Sequence, residues 1–194
     1  TIYRSEIING TYEKVKSTTG TSTSDTGLNA GKIYYYKISG CTKTNQHTLL
    51  SNPVAVIPLA TPVIEKTFAV DSGVTIQWSK ASGADRYNIY RSETLTGTYE
   101  YLDSIVSGTL GYTDTSVEKN KTYYYKVRAY KKNNNIVYYG GYSLPHAVIK
   151  LDPVELTVTP KSGVTMQLTW NLKKNVYAYN VYRLNMQTGK WEYV

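Results

Sequence analysis

Short segments of alternating apolar and polar residues, separated by clusters of Gly, Asn, Asp and Ser, run along the chain. Alternation with a period of two is typical of strands that bury one face, and no stretch shows the 3.6-residue period of an amphipathic helix. Seven short strands in about 90 residues predict a sandwich of two antiparallel sheets. The predicted strands, where the pattern is fullest, are residues 63–69, 73–78, 87–91, 99–106, 111–114, 122–131 and 142–150.

The alternation also predicts which side chains meet between the two sheets. Trp78 is the largest of them and is expected to fill the centre, and Trp170 holds the equivalent place later in the chain. The predicted core residues of two facing strands are Val74, Ile76 and Trp78 on one, and Tyr123, Tyr125, Val127 and Ala129 on the other.

Short sequence motifs recur at intervals of about 90 residues, which is too long for a solenoid unit of 20 to 50 residues and suits separate small domains. The motif IYRS begins at Ile2 and again at Ile89, and YYYK begins at Tyr34 and again at Tyr123; a looser VYR begins at Val181. We therefore predict one complete domain between two partial ones. These three copies are the first copy (residues 1–59), the middle copy (60–151) and the third copy (152–194).

Composition limits the possible partners. The net charge of +8 favours anionic surfaces such as acidic glycans or cell-envelope polymers. The cations are scattered and accompany no nucleic-acid-binding motif, so we do not expect nucleic acid as a partner. The sequence has no run of 18 apolar residues, so insertion into a membrane is not predicted. Cys41 is the only cysteine, so packing rather than an intrachain disulfide must hold the domains.

The layout of the copies resembles the fibronectin type III family. Shared features are a proline near the start, a tryptophan on the second strand, a Tyr-x-Ile/Val-Tyr third strand and an apolar residue six positions before a tyrosine. In the family, that tyrosine forms the tyrosine corner, in which its hydroxyl bonds to the backbone a few residues upstream. The resemblance implies tandem immunoglobulin-like β-sandwiches, and the IYRS and YYYK motifs are most similar to bacterial secreted or cell-surface members. The residues that carry it are Pro62, Pro153, Trp78, Trp170, Tyr87, Tyr90, Tyr179, Tyr182, and Leu28 with Tyr34 and Val117 with Tyr123.

An aromatic and basic stripe is predicted on the outward side of strand 122–131. Tyrosine rings stack on sugars, and Lys and Arg pair with phosphate or carboxylate, so the stripe is a candidate glycan- or polyanion-binding face. The alternative is a set of cross-strand pairs on a solvated sheet. The equivalent first-copy positions, Tyr35, Lys37, Ser39 and Cys41, keep only part of it. The stripe consists of Tyr124, Lys126, Arg128 and Tyr130, with Asn88 and Tyr90 on the neighbouring strand.

The hairpin at residues 131–142 is the second candidate. Its run of asparagines favours a turn with left-handed backbone conformations, while Tyr138, Tyr139 and Tyr142 make an exposed surface that could contact a protein. No Arg-Gly-Asp motif occurs in the chain.

Catalytic, cofactor and metal sites are not predicted. No nucleophile, zinc or phosphate-binding motif occurs, and His47 and His146 lie in separate copies. Asp25 and Asp114 each precede a threonine at equivalent places, which indicates turn-forming residues.

Four non-catalytic functions remain open, all in an extracellular or cell-surface protein. The first is a structural spacer that presents other domains. The second is an adhesion or carbohydrate-binding module with a protein or glycan partner. The third is an accessory region of a large polysaccharide-degrading enzyme. The fourth is a filament subunit, in which incomplete terminal copies complete one another by strand exchange. The fold by itself does not choose among them.

Overall fold

The computed structural model describes residues 1–174 and 176–194, and the regular elements in these ranges are β-strands. The first copy contains β1 (Ile2–Ser5), β2 (Glu13–Lys16), β3 (Tyr34–Ile38) and β4 (Val54–Val56). The middle copy contains β5 (Ile64–Val70), β6 (Gly73–Trp78), β7 (Arg86–Ser92), β8 (Glu100–Val106), β9 (Gly111–Asp114), β10 (Thr122–Asn133), β11 (Ile136–Tyr142) and β12 (His146–Ile149). The third copy contains β13 (Leu156–Pro160), β14 (Met166–Trp170), β15 (Tyr182–Asn185) and β16 (Lys190–Tyr193).

Two antiparallel sheets face each other in the middle copy. One has the strand order β5-β6-β9; the other has the order β11-β10-β7-β8, with β12 also paired to β10. Buried side chains from both sheets form a single hydrophobic cluster. The predicted all-β, immunoglobulin-like sandwich is confirmed, since the strands pair antiparallel and enclose one core.

Trp78 lies at the centre of this core. The side chain is 1% exposed, and the ring meets the ring of Tyr87 edge-on at a centroid distance of 5.5 Å. The indole Nε1 has no hydrogen-bond partner among the described residues, so packing alone holds the ring. The seven predicted core residues of β6 and β10 are all buried in the cluster, which confirms the predicted alternation.

Tyrosine hydroxyls fasten turns to the sheets. The backbone N–H of Asn29 donates to the Tyr34 hydroxyl at 3.0 Å, and that of Glu118 donates to the Tyr123 hydroxyl at 3.2 Å. Both bonds reach five residues upstream, as the predicted tyrosine corner requires. A third bond from a backbone N–H to a tyrosine hydroxyl, not predicted from the sequence, runs from Ala81 to Tyr87 at 2.7 Å.

The predicted strand at residues 142–150 is shorter in the structure, where β12 covers only His146–Ile149. Tyr142 instead ends β11, because β11 pairs with the end of β10 and β12 pairs with its beginning. Between them, Ser143 bonds to both backbone groups of Val127, and Pro145 has no N–H to donate. The predicted left-handed turn before β11 is confirmed, with φ of 47° at Asn134 and 66° at Asn135.

The flanking copies form smaller sheets. The first copy contributes one four-stranded sheet with the order β2-β1-β3-β4, and the third contributes the hairpins β13-β14 and β15-β16. In the third copy, Trp170 packs against Tyr179 at 5.7 Å, which repeats the Trp78–Tyr87 contact. Within the described ranges, no helix is long and apolar enough to cross a bilayer.

Candidate functional site

The outward side of the larger middle-copy sheet carries a connected group of aromatic and basic side chains. We call this group the tyrosine–arginine face. It crosses all four strands β11, β10, β7 and β8, which lie side by side in that order. Its members are Tyr90, Tyr101, Arg128, Tyr130, Tyr139 and Tyr142.

Ring contacts join these side chains across the strands. Tyr90 meets Tyr101 at a centroid distance of 5.9 Å on one side and Tyr142 at 5.2 Å on the other, both edge-on. At the far end, Tyr130 and Tyr139 are 5.8 Å apart. Edge-on contacts of this kind are favoured by the ring quadrupoles. The group is therefore packed in place, while Tyr101, Tyr139 and Tyr142 each remain about half exposed.

Arg128 lies between two tyrosines of β11. The guanidinium carbon is 4.4 Å from the centroid of the Tyr139 ring and 4.5 Å from that of Tyr142. The Nε donates to the carbonyl of Gly140 at 2.9 Å, and Nη1 donates to the Tyr142 hydroxyl at 3.3 Å. These bonds fix the guanidinium plane, and Nη2 has no hydrogen-bond partner in the part of the chain that the structure describes.

A β-bulge creates this clamp. The register between β10 and β11 shifts between Arg128 and Tyr130. As a result, Tyr142 lies opposite Arg128 and Tyr139 lies opposite Tyr130. Residues three apart on a regular strand face opposite sides of the sheet, and the extra residue of a bulge restores them to the same side. The bulge is therefore what lets Tyr139 and Tyr142 enclose one arginine.

The structure brings most of the predicted face together. Lys126 extends over the ring of Tyr99, with Nζ 3.9 Å from its centroid. Tyr124 is on the same side of the sheet. Burial raises the pKa of Tyr99, and the nearby Tyr124 raises it further. Tyr138 lies opposite Lys131 in the alternate register and joins none of the ring contacts described above. The predicted residues that meet are Tyr90, Arg128, Tyr130, Tyr139 and Tyr142.

Tyr101 and Arg86 were missed by the sequence reasoning. Tyr101 faces Tyr90 only because a second register shift falls between Ile89 and Tyr90. Arg86 donates from Nη2 to the Ser104 carbonyl at 2.6 Å, which fixes it beside the face. Its position just before the predicted strand was the available signal, since alternation back from Tyr90 places Arg86 on the outward side.

A second cluster lies inside the sandwich. The Asp114 carboxylate on β9 accepts hydrogen bonds from Arg91 Nη1 on β7 and from the Tyr125 hydroxyl on β10, both at 2.7 Å. It also accepts the N–H of Ser116 at 2.9 Å, as a turn-forming aspartate does. The predicted turn role is thus incomplete, because the same carboxylate ties one sheet to the other through a buried ion pair.

Burial and hydrogen bonding act in opposite directions on this cluster. Burial alone would raise the pKa of Asp114, but the hydrogen bonds from Ser116, Tyr125 and Arg91 together hold that pKa below its ordinary value. Burial, reinforced by the Asp114 carboxylate, raises the pKa of Tyr125. The stable form at neutral pH is an ionised aspartate between a charged arginine and a neutral phenol.

The junction between the first and middle copies contacts both of them. The N–H of Gly31 donates to the Pro58 carbonyl at 2.7 Å, and the N–H of Ala60 donates to the Ser82 carbonyl at 3.3 Å. Gly31 and Gly83 meet backbone to backbone at positive φ values of 81° and 83°, and a Cβ on Gly31 would lie 2.7 Å from the Gly83 Cα. Only glycine fits such a contact without strain.

The junction between the middle and third copies is also bonded. The N–H of Asn120 donates to the Lys150 carbonyl at 2.7 Å. The Asn120 side-chain amide donates to the carboxylate of Asp152 at 2.8 Å, and Lys119 pairs with the same carboxylate at 3.1 Å. These contacts fasten Asp152 to the middle copy, whereas the first junction is bonded to the copies on both of its sides.

Metal-binding chemistry finds no support in the described ranges, 1–174 and 176–194, because no group of three or more His, Cys, Asp or Glu could hold an ion there. Cys41 is exposed, and its β-bridge partner is His47.

Comparison with curated proteins finds two polysaccharide-acting enzymes. The chain is 36% identical over 80 residues to the amylopullulanase of Thermoanaerobacterium saccharolyticum, covering 40% of this chain and 6% of that protein. It is 26% identical over 204 aligned positions to exoglucanase B of Cellulomonas fimi, covering 91% of this chain and 18% of that protein. The chain thus spans less than a fifth of either relative's length. No family model matches the chain.

Comparison with solved structures finds similar all-β chains. An Fn3-like protein from Clostridium thermocellum matches with a TM-score of 0.37 and 26% identity, over 48% of this chain and 94% of that one. The FN1–FN3 domains of chicken CNTN1 match with a TM-score of 0.42 and 15% identity, over 100% of this chain and 74% of that one.

Proposed function

We propose that this chain of tandem fibronectin type III sandwiches is a non-catalytic accessory segment of a secreted polysaccharide-degrading enzyme, and that it holds the enzyme's other domains at a defined separation. The observation that carries the proposal is the match to exoglucanase B, which extends over 91% of this chain but only 18% of that enzyme. A segment that matches only a small part of a larger enzyme is expected to support the catalytic part rather than to replace it.

The junction between the first and middle copies supports the spacing role. In a flexible tether, the linking residues are solvated and make few fixed contacts. Here Leu59 and Ala60 pack against the middle-copy core, and backbone hydrogen bonds run from this junction to both neighbouring copies. Such a junction transmits the orientation of one copy to the next.

A distance measurement on the full chain tests the spacing role. Cys41 is exposed and is the only cysteine, so it accepts one spin label, and Ser162→Cys supplies a second site in the third copy. Pulsed electron resonance is expected to give a narrow distance distribution. A distribution as broad as that of a random coil of the same length would overturn the proposal.

Two glycine variants sharpen this test. Gly83→Ala places a Cβ against the backbone of Gly31 and is expected to broaden the distance distribution. Gly108→Ala is the matched control, since a Cβ there meets nothing within 4 Å. The accessory role is checked separately by incubating the chain with starch, pullulan and cellulose, where no release of reducing sugar above background is expected.

A further inference from the structure

We propose that the tyrosine–arginine face binds a polysaccharide that carries carboxylate groups, such as a polymer of uronic acids. This binding function is separate from the spacing role and rests on different residues. It follows from three properties of the outward side of the larger sheet, which are unpaired positive charge, partly exposed tyrosines and a guanidinium already held in one orientation.

The positive charge on this side has no internal partner. Arg86, Lys126 and Arg128 take part in none of the ion pairs within residues 1–174 and 176–194. The strands β7, β10 and β11 contain no Asp or Glu. The acids of β8, Glu100 and Asp103, lie opposite the inward-facing Arg91 and Ile89. The face therefore presents cations without compensating carboxylates, which complements an anionic ligand.

Arg128 is prepared to receive a carboxylate. Two of its nitrogens are occupied by Gly140 and Tyr142, and the flanking rings of Tyr139 and Tyr142 restrict its movement. An arginine fixed in advance loses less side-chain entropy when it binds. Its Nη2 is available for the charge-assisted hydrogen bond that guanidinium groups make with carboxylates.

The tyrosines favour a sugar polymer over a polyanion that has no rings. Tyr101, Tyr139 and Tyr142 are about half exposed and lie across four strands, a width of roughly 15 Å at the usual spacing between neighbouring strands. Their rings and hydroxyls offer both stacking and hydrogen bonding to sugar rings. Sites for single-stranded nucleic acid also combine cations with stacking rings, so single-stranded DNA is the alternative ligand that the test below must include.

Calorimetric titration of the full chain with polygalacturonate tests the proposal. Measurable binding that weakens as salt is added is expected, because exposed charges are screened. Arg128→Gln is expected to weaken binding about tenfold or more, since it leaves a ligand carboxylate unpaired. Lys37→Gln is the matched control for a second charge variant, Lys126→Gln. Lys37 extends over the Tyr12 ring at 4.4 Å in the first copy, just as Lys126 extends over Tyr99 in the middle copy. Lys37→Gln is expected to change affinity less than about twofold.

Further ligands and variants separate the alternatives. Lys126→Gln alters a side chain at the surface, so it tests the charge even if Arg128→Gln fails to fold, as judged by circular dichroism. Tyr139→Ala is expected to weaken binding because it removes a stacking ring. The proposal is overturned if neither charge variant weakens binding, if polygalacturonate does not bind, or if cello-oligosaccharides or single-stranded DNA bind equally well.

Discussion

The first and middle copies contain the same Arg–Asp–Tyr cluster in different surroundings. Arg4 pairs with Asp25 at 2.8 Å in the first copy, and Arg91 pairs with Asp114 at 2.7 Å in the middle copy. The aspartate side chain is 18% exposed in the first and 2% exposed in the second. Because the geometry is nearly the same, the difference lies in what covers the pair. The middle-copy pair is enclosed between two sheets, and this should give it a much larger effect on stability.

The covering sheet also determines secondary structure. Asp114 ends β9, which exists through its pairing with β6. The matching segment around Asp25 forms no strand, although Asp25-Thr26 repeats Asp114-Thr115. The strand therefore forms where β6 supplies the hydrogen bonds, and the shared Asp-Thr pair is not enough to form one without such a partner.

The largest expected effect distinguishes the two equivalent tryptophans. Trp78→Ala is expected to lower the free energy of unfolding of the middle copy by about 3–5 kcal/mol, as loss of a buried aromatic side chain does. Trp170 is only partly buried, so Trp170→Ala should cost less. Hydrogen exchange of the β6 and β14 amides, measured against denaturant, reports each copy separately. Equal losses at both sites would contradict the comparison.

The next effect concerns the two aspartates. Asp114→Ala leaves the Arg91 charge and the Tyr125 hydroxyl buried without a partner, and breaking a buried pair in this way costs about 3–5 kcal/mol. Asp25→Ala in the first copy should cost about 1 kcal/mol or less, since more exposed pairs contribute little. Asp114→Asn controls for shape, because it keeps the size and removes the charge. Denaturant unfolding of the full chain measures the stability of all three variants. A larger loss for Asp25→Ala than for Asp114→Ala would contradict the claim that burial makes the middle-copy pair more important.

The sequence predicted the sandwich well because alternation within a strand depends on neighbours in the chain. Trp78 and Tyr125 could be placed in the core from such a pattern alone. The tyrosine–arginine face was harder, because Tyr101 and Tyr142 reach it only through register shifts between strands. A bulge changes which residues lie opposite one another, and this depends on packing that a single strand's sequence does not record. The ion pair was missed for the same reason, since Arg91 and Asp114 lie on different sheets.

Acid should destabilise the middle copy through Asp114. The pKa of this carboxyl is lowered in the folded chain, so the stability it contributes is present above the unfolded value of about 3.9 and is lost as pH falls through the folded value. We expect the free energy of unfolding to fall below about pH 4 and the fall to be shallower in Asp114→Asn. Urea titrations at several pH values measure this slope. An unchanged slope in the variant would show that other groups cause it.

Alkali should act through the tyrosines of the same clusters. Burial, together with Asp25, raises the pKa of Tyr36 to about 12, and the pKa of Tyr125 is raised as well. A raised phenol pKa contributes stability that is present below the unfolded value of about 10 and is lost at higher pH. Tyr125→Phe should therefore flatten the alkaline loss in the middle copy, measured by the same urea titrations. A loss of unchanged steepness in the variant would contradict this assignment.

The smallest expected effect is one where the two copies should agree. Tyr34 and Tyr123 are 3% and 2% exposed, and each hydroxyl accepts one backbone N–H, at 3.0 and 3.2 Å. Tyr34→Phe and Tyr123→Phe each remove one such bond, so each should cost about 1 kcal/mol, as a typical net hydrogen bond does. Hydrogen exchange of β3 and β10 amides measures the two losses in one chain. If burial determines these stability losses, the Asp25 and Asp114 variants should differ in their losses, and the Tyr34 and Tyr123 variants should not. A tyrosine loss several times larger in the middle copy would instead mean that its whole sandwich amplifies every change, and the aspartate result would then say nothing about burial of the ion pair.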